Sequence, residues 1–261
     1  MQDAEPDDEI EEQDFLFFLD EAYTQDNGEW QVSLSVGYFD NLREGTAEDE
    51  QAQHSDLWIG LLGVEYGITD RLQVEFELPY LRLTVHEDET ARDSGIGDLE
   101  FAVGYALIEE TDESPQLTAG LEIIAPTGDE SAGLGTGTWG WGPFLALSKQ
   151  VSGQWYLHAN LAFQISNNVE EDGERFDERE LEYGLAAVYQ PTDNVDLILE
   201  LVGAYERAQA DEGTEHGRVL QLAPGIKYEF ENGLEVGVAA AFGLTDDTYD
   251  SGVLVKLQYE F

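Results

Sequence analysis

Apolar residues alternate one by one with polar or small residues along most of the chain from residue 28 to the C-terminus. Because neighbouring side chains of a β-strand point to opposite faces, this period of two predicts strands with one apolar and one polar face. The clearest stretches have an apolar side chain at nearly every second position, at 30–38, 72–80, 99–107, 155–165 and 253–261. A chain made of such strands folds as a sandwich or as a barrel.

Counting these stretches predicts 12 antiparallel strands, at 29–40, 56–68, 71–84, 96–108, 116–126, 138–149, 154–166, 180–190, 195–206, 217–230, 233–244 and 251–261. The connections between them alternate in length. Short turns are predicted at 69–70, 109–115, 152–153, 191–194 and 231–232, and longer acidic loops at 41–55, 85–95, 127–137, 167–179, 207–216 and 245–250. Short turns on one rim and long loops on the other are typical of single-chain outer-membrane barrels, whose turns face the periplasm.

Tyrosine and tryptophan are concentrated at the two ends of the predicted apolar faces. A soluble β-sandwich also has alternating strands, but its core gives no reason for two aromatic bands on one face. An apolar ring with a polar edge is most stable at a water–lipid boundary. The sequence therefore predicts an all-β fold, a closed transmembrane antiparallel β-barrel of 12 strands in the outer membrane of a Gram-negative bacterium, with short periplasmic turns and longer acidic extracellular loops. Its predicted membrane-interface girdle is formed by Trp30, Tyr38, Tyr66, Tyr80, Tyr105, Trp139, Trp155, Tyr183, Tyr189, Tyr205, Tyr228, Tyr259 and Phe261.

The chain carries 57 acidic and 11 basic residues, which gives a formal net charge of -46. Such a charge repels nucleic-acid phosphates, so nucleic-acid binding is excluded. Two interpretations are open for the polar strand faces: a solvated wall with structural hydrogen bonds, or an electrostatic filter that favours cations. The predicted pore-lining residues are Glu75, Glu77, Glu100, Glu122, Glu182, Asp196, Glu200, Lys227, Glu235 and Lys256.

Residues 1–27 differ from the rest of the chain, because they are rich in acids, contain no Lys or Arg and include one apolar patch at 15–19. They are predicted to form either a solvated tail or a segment that folds back to plug or line the pore, separate from a barrel at 28–261. No signal peptide is present, so we interpret the sequence as a mature chain. No run approaches 18 apolar residues, so no transmembrane helix is predicted.

The sequence offers little for catalysis or for a cofactor. It has no cysteine, no metal-type histidine pair and no nucleophile elbow, and only His158 of its four histidines falls in a predicted strand. We therefore predict no enzyme activity, no catalytic residue, no metal ligand and no cofactor. Acidic clusters at 87–89, 170–174 and 245–247 offer oxygen ligands for divalent cations, but none has EF-hand spacing, so a solvated acidic surface is the alternative.

The predicted partners follow from the barrel. They are the lipid bilayer, lipopolysaccharide and small-molecule solutes. The last strand ends in Tyr259-Glu260-Phe261, preceded by Val255 and Leu257. Such an ending is typical of outer-membrane barrels and predicts engagement of the barrel-assembly machinery through the C-terminal strand.

Four stretches resemble one known family. They are 21–25 leading into 28–31, the Gly95-Ile96-Gly97-Asp98-Leu99 run, the Ala125-Pro126-Thr127-Gly128 run, and the run from Gly135 to Trp139. In order and spacing they resemble the outer-membrane transporter family of the meta-pathway of phenol degradation, over about residues 21–261. The resemblance implies an outer-membrane barrel associated with uptake of small, often aromatic compounds, and it supplies no catalytic residues. The high negative charge of this chain departs from the family and disfavours an anionic aromatic substrate.

Three functions compete at this point. The leading hypothesis is a channel for passive passage of small molecules, including small aromatic or hydrophobic compounds, with a cation-favouring lumen. The alternative is a closed barrel with a structural or adhesive role, and the third is a membrane-embedded enzyme. Bulky inward groups such as Phe39, Phe144 and Tyr156, together with residues 1–27, decide how far the bore is blocked.

Overall fold

The regular structure consists of β-strands and one short 3-10 helix, Glu130–Ala132, in a computed structural model that describes residues 15–44, 53–85, 92–171, 174–210 and 213–261. The strands are β1 (Trp30–Glu44), β2 (Gln53–Thr69), β3 (Leu72–Val85), β4 (Arg92–Ile96), β5 (Leu99–Ile108), β6 (Gln116–Ala125), β7 (Gly140–Ser152), β8 (Trp155–Glu171), β9 (Glu174–Thr192), β10 (Val195–Ala210), β11 (Thr214–Glu229), β12 (Leu234–Gly243) and β13 (Ser251–Glu260). No helix among the described residues is long and apolar enough to cross a membrane.

All neighbouring strands are antiparallel, and the sheet closes on itself. β1 pairs with both β2 and β13, so that Val32 lies opposite Val64 on one side and Tyr259 on the other. β4 and β5 pair with the two halves of β3 and together occupy one position in the wall. The result is the predicted closed antiparallel barrel of 12 strands, which is confirmed.

The two rims of the barrel differ as the sequence indicates. One rim, here called the turn rim, carries the connections at 70–71, 109–115, 153–154, 193–194 and 230–233 and the C-terminus. The opposite rim, here called the loop rim, carries the connections after β1, β3, β6, β8, β10 and β12.

The wall is interrupted between β4 and β5, at Gly97 and Asp98. The facing residue of β3 is Pro79, whose ring nitrogen has no hydrogen to donate to a ladder. The Gly97 amide instead donates to the Pro79 carbonyl at 2.9 Å. The interruption frees the Asp98 side chain to bind a loop inside the rim.

The predicted loops at 41–55, 167–179 and 207–216 are wrong in part, because the strands continue into them. β8 extends to Glu171, β9 begins at Glu174, β10 ends at Ala210 and β11 begins at Thr214. These extensions are mostly polar, with isolated apolar residues such as Val169 and Phe176, so they lack the period of two that marks a strand with one apolar side. Similarly, β4 lies in the predicted loop at 85–95, and the short 3-10 helix lies in the predicted loop at 127–137.

The outer surface carries the predicted apolar belt and its aromatic borders. Exposed aliphatic side chains cover the middle of the wall, and none of the 13 predicted girdle residues is buried. Neighbouring strands place girdle rings in pairs, with centroids 4.5 Å apart for Trp30 and Tyr66 and 4.8 Å apart for Trp155 and Tyr189. A soluble protein would not expose so continuous an apolar band.

We expect Leu199→Arg to destabilise the folded barrel by about 2–4 kcal/mol, because a charged side chain near the middle of the lipid-facing belt is costly. Leu199 is 47% exposed on β10, between belt residues of β9 and β11. The measurement is the free energy of unfolding in lipid vesicles.

Leu107→Arg is the matched control, since Leu107 is 52% exposed but lies at the turn-rim end of β5. We expect it to cost only about 0–1 kcal/mol, because the penalty falls towards the interface. Equal costs for the two variants would contradict a lipid-facing belt centred near Leu199.

Candidate functional site

Residues 15–27, here called the luminal segment, lie inside the barrel; residues 1–14 of the predicted N-terminal segment lie outside the described residues. Phe15 and Leu16 are both 0% exposed. The segment packs closely against glycines of the wall. A Cβ on Gly237 would lie 2.6 Å from the Phe15 ring. A Cβ on Gly225 would clash with Phe17, and one on Gly184 would clash with Leu19. Inward glycines of β9, β11 and β12 therefore make room for its apolar side chains.

The first half of the luminal segment is held through its backbone. The Glu200 carboxylate of β10 accepts hydrogen bonds from the Phe17 amide at 3.2 Å and the Phe18 amide at 3.1 Å. The Lys256 ammonium of β13 donates to the Leu16 carbonyl at 2.9 Å. Backbone groups buried away from water need such partners, and here charged inward side chains provide them.

The second half is held by polar side chains near the turn rim. Thr118 donates to the Ala22 carbonyl, and the Ala22 amide donates to the Ser148 hydroxyl at 3.3 Å. The Tyr23 hydroxyl donates to Glu110 at 2.6 Å. The segment thus crosses the lumen with anchors on opposite parts of the wall.

A buried ion cluster supports the segment on the β10–β12 side. The Lys227 ammonium lies 2.6 Å from the Glu235 carboxylate and 2.9 Å from that of Asp196. The Lys256 ammonium lies over the Phe15 ring, 5.0 Å from the ring centroid. Breaking such a buried pair would leave an uncompensated charge, so this side of the lumen is a fixed structural element.

A cavity of about 300 Å³ remains on the loop-rim side of the segment. One part of its lining is apolar, from Phe18, Phe144 and Val202. The remainder is strongly acidic, with no basic side chain among its described lining residues, and comes from Asp20, Glu75, Glu77, Glu100, Glu122 and Glu182. A site of this kind attracts positive charge and has room for a small solute.

Asp20 is the acid that the segment itself contributes to this cavity. The exposed part of its side chain faces this cavity. The surrounding protein displaces bulk water and thereby raises the pKa of the Asp20 carboxyl group, while the positive charge of Lys256 acts in the opposite direction. Its backbone carbonyl accepts from Asn160 at 2.9 Å.

A second cavity, of about 500 Å³, opens on the turn-rim side of the segment. It is also acidic, with lining side chains that include Asp26, Glu29, Glu229, Glu235 and Glu260. The luminal segment therefore separates two acidic compartments inside the barrel.

At the loop rim, Asp98 binds the connection between β6 and β7. Its carboxylate accepts from the Gly128 amide at 2.9 Å, from the Thr136 amide at 2.7 Å and from the Thr136 hydroxyl at 2.8 Å. The buried Leu134 side chain packs where Gly95 leaves space, since a Cβ there would lie 3.1 Å from it. The loop at 126–139 is thus clamped to the break between β4 and β5.

The predicted pore-lining residues divide into two groups. Glu75, Glu77, Glu100, Glu122 and Glu182 line the loop-rim cavity. The other five do not line that cavity: Glu200 and Lys256 bind the luminal segment, and Asp196, Lys227 and Glu235 form the ion cluster. Their side chains point inward; Glu235 also lines the turn-rim cavity, whereas the segment or the ion cluster occupies the space in front of the other four.

Sequence reasoning missed one polar pair in the interior. The Ser148 hydroxyl and the His158 Nδ1 lie 2.8 Å apart, and both residues are almost fully buried beneath Ala22. The short turn between β7 and β8 fixes their register opposite each other, so hairpin pairing could have found them. Because the pair is covered, its geometry supports packing of the segment rather than nucleophilic chemistry.

The predicted cation sites in the loops lie mostly outside the described residues. The cluster at 87–89 and the central residues of the cluster at 170–174 are among those not described. Asp247, in the third cluster, accepts from the Arg218 amide at 2.9 Å. Within the described ranges, no group of three or more His, Asp or Glu side chains is arranged to hold a metal ion.

Comparison with known proteins places these features in a family and a fold. The sequence profile of the family described as MetA-pathway of phenol degradation matches residues 70–261. The structure is similar to the crystal structure of an outer membrane channel from Pseudomonas putida F1, with a TM-score of 0.77 and 17% identity over 92% of this chain and 98% of that chain. None of the curated protein sequences matches this chain.

Two further solved structures share the architecture at greater distance. The NanC porin gives a TM-score of 0.53 and 10% identity over 87% of this chain and 97% of that chain. The translocator domain of the autotransporter NalP from Neisseria meningitidis gives a TM-score of 0.55 and 12% identity over 90% of this chain and 89% of that chain. At these identities the similarity concerns the fold.

We expect Asp98→Ala to loosen the loop at 126–139 without unfolding the barrel. Removing the shared acceptor leaves the Gly128 and Thr136 amides without their partner, at a local cost of about 1–3 kcal/mol. Hydrogen exchange of peptides covering 126–139, measured by mass spectrometry, should accelerate, while peptides from β10 to β13 keep their protection.

Asp193→Ala serves as the control, because Asp193 is an exposed acid in a turn at the other rim. It removes the same charge and should leave exchange at 126–139 unchanged. Unaltered exchange of the loop in Asp98→Ala would show that the carboxylate does not hold it.

Proposed function

Because this chain belongs to the MetA-pathway of phenol degradation family, with three quarters of its length covered by the family profile, we propose that it is an outer-membrane channel for passive passage of small solutes. The turn rim then faces the periplasm and the loop rim the exterior. The observation that carries the proposal is the pair of cavities inside the barrel, on the two sides of the luminal segment.

The lining chemistry indicates which solutes pass. Low-dielectric walls strengthen the field of the six acids around the loop-rim cavity, so cations are concentrated there and anions are repelled. The apolar surface from Phe18, Phe144 and Val202 accommodates a small hydrophobic or aromatic group. Neutral and cationic small molecules, aromatic ones included, fit this lumen better than anionic ones.

A second candidate is a closed barrel with a structural or adhesive role. It is favoured by the luminal segment, which fills the β10–β13 side of the bore with Phe15, Leu16 and Phe17. In that case no solute passes, and the cavities are packing defects. Conductance separates the two candidates.

The remaining assignments extend the channel proposal. We assign residues 1–27 to an acidic N-terminal segment, of which the luminal segment at 15–27 is a partial plug, and residues 28–261 to the barrel. Tyr259 and Phe261 are exposed at the C-terminus, with ring centroids 5.9 Å apart, and are suited to engage the barrel-assembly machinery. In the proposed orientation, lipopolysaccharide of the outer leaflet contacts the loop-rim half of the belt. We propose no catalytic role, since the Ser148–His158 pair is sealed beneath the luminal segment.

In planar bilayers under a KCl gradient, we expect a reversal potential on the cation side. The preference should be strong in dilute salt and shrink near 1 M salt, where the Debye length falls to about 3 Å. Replacing Glu75, Glu77 and Glu100 together with Gln should move the reversal potential towards zero, because these acids line the loop-rim cavity.

The control replaces Glu113 and Glu231 with Gln and Asp193 with Asn. These three acids are exposed at the turn rim, so the variant has the same change in net charge outside the loop-rim cavity. A reversal potential on the anion side, or equal effects of the two triple variants, would contradict the cation filter. Absence of any conductance would support the closed barrel.

A further inference from the structure

A narrow gap beside the luminal segment lies between the two cavities. It has a volume of about 20 Å³, enough for roughly one water molecule. The gap shares Asp20, Glu75 and Phe144 with the loop-rim cavity, and it shares Tyr23 with the turn-rim cavity. The gap therefore runs along the inner face of β2, β3, β5 and β6 from the loop-rim cavity to Tyr23, and beyond Tyr23 the turn-rim cavity opens towards β11, β12 and β13.

The segment that borders this path is fixed by its backbone. Wall side chains bind the main chain at Leu16, Phe17, Phe18, Asp20 and Ala22. Withdrawal of the segment would break all these hydrogen bonds together, including those at Glu200 and Lys256, and would expose its buried apolar residues. A route that needs the segment to leave is therefore energetically unfavourable.

Side chains, by contrast, close the gap. The Phe144 ring projects from β7 over Gly104 and Gly120, and a Cβ on Gly104 would lie 3.7 Å from it. The Tyr23 ring closes the turn-rim end and is held there by the hydroxyl bond to Glu110. Displacement of these two rings would widen the gap, because neither ring takes part in a backbone anchor of the segment.

We propose that solutes pass beside the docked luminal segment, through the gap between it and the β2–β6 wall, and that Phe144 and Tyr23 set the size limit of the pore. This inference rests on the proposed channel function and identifies where in the lumen selection occurs. The small residues Ala102 and Gly104 on the opposite side of the gap leave the two rings as its bulkiest groups.

The test locks the segment in place. The chain has no cysteine, so Leu19→Cys with Gly184→Cys introduces a unique pair. A Cβ on Gly184 would lie 3.1 Å from the Leu19 Cγ, which brings the two Cβ atoms near the separation of about 3.5–4.5 Å that a disulfide needs. Single-channel conductance is measured for the oxidised and the reduced protein, with cross-linking verified by mass spectrometry.

We expect the same conductance in the oxidised and reduced states. Phe144→Ala should raise the conductance and admit larger cations, and Phe144→Leu, which keeps an apolar side chain, should have a smaller effect of the same sign. Ala102→Leu, on the facing wall, should lower it. These substitutions leave every backbone anchor of the segment in place.

Three results would overturn the inference in different ways. A protein that conducts only when reduced would show that the segment has to move away. Unchanged conductance and size limit in Phe144→Ala and Phe144→Leu would show that selection occurs elsewhere. No conductance in any variant or redox state would contradict the channel function itself.

Discussion

Backbone hydrogen bonding is the constraint on which the whole structure depends. A peptide group facing lipid has no water to bind, so each strand of the wall needs a partner on both sides. The pairing of β1 with β13 meets this need over ten consecutive residue pairs and turns a sheet into a barrel. Because the sheet is closed, successive side chains of each strand point alternately outward to lipid and inward to a polar lumen.

The same constraint explains the interior. A segment with no secondary structure can enter a lumen only if its main chain finds partners there, and residues 15–27 find them in Glu200, Lys256, Thr118, Ser148 and Asn160. The inward charges on the β10–β13 side are therefore largely used to hold protein. Glu75, Glu77, Glu100, Glu122 and Glu182, on the β3–β9 side, face the loop-rim cavity, which divides the lumen into a structural half and an open half.

The lipid-facing half of the molecule could be predicted from sequence because lipid imposes a simple rule on each residue. Trp155 and Tyr189 could be assigned to a girdle independently, and the structure pairs them across β8 and β9. Strand ends outside the belt could not be predicted, since residues such as Glu178 and Arg179 lie where both faces are wet. The role of Glu200 could not be predicted either, because it depends on where amides more than 180 positions away in the chain come to lie.

The stretches that mark the family also have a structural explanation. The runs at 95–99, 125–128 and 135–139 meet around Asp98, where glycines allow close approach and the carboxylate ties the loop to the wall. In this chain they build one part of the loop rim. They do not line the gap at Phe144 and Tyr23, nor do they supply the acids at Glu75 and Glu100. In this chain, the residues that resemble the family and the residues that give the loop-rim cavity its charge and its bore are therefore different, and the acids of that cavity lie on β3 to β9 and on the luminal segment.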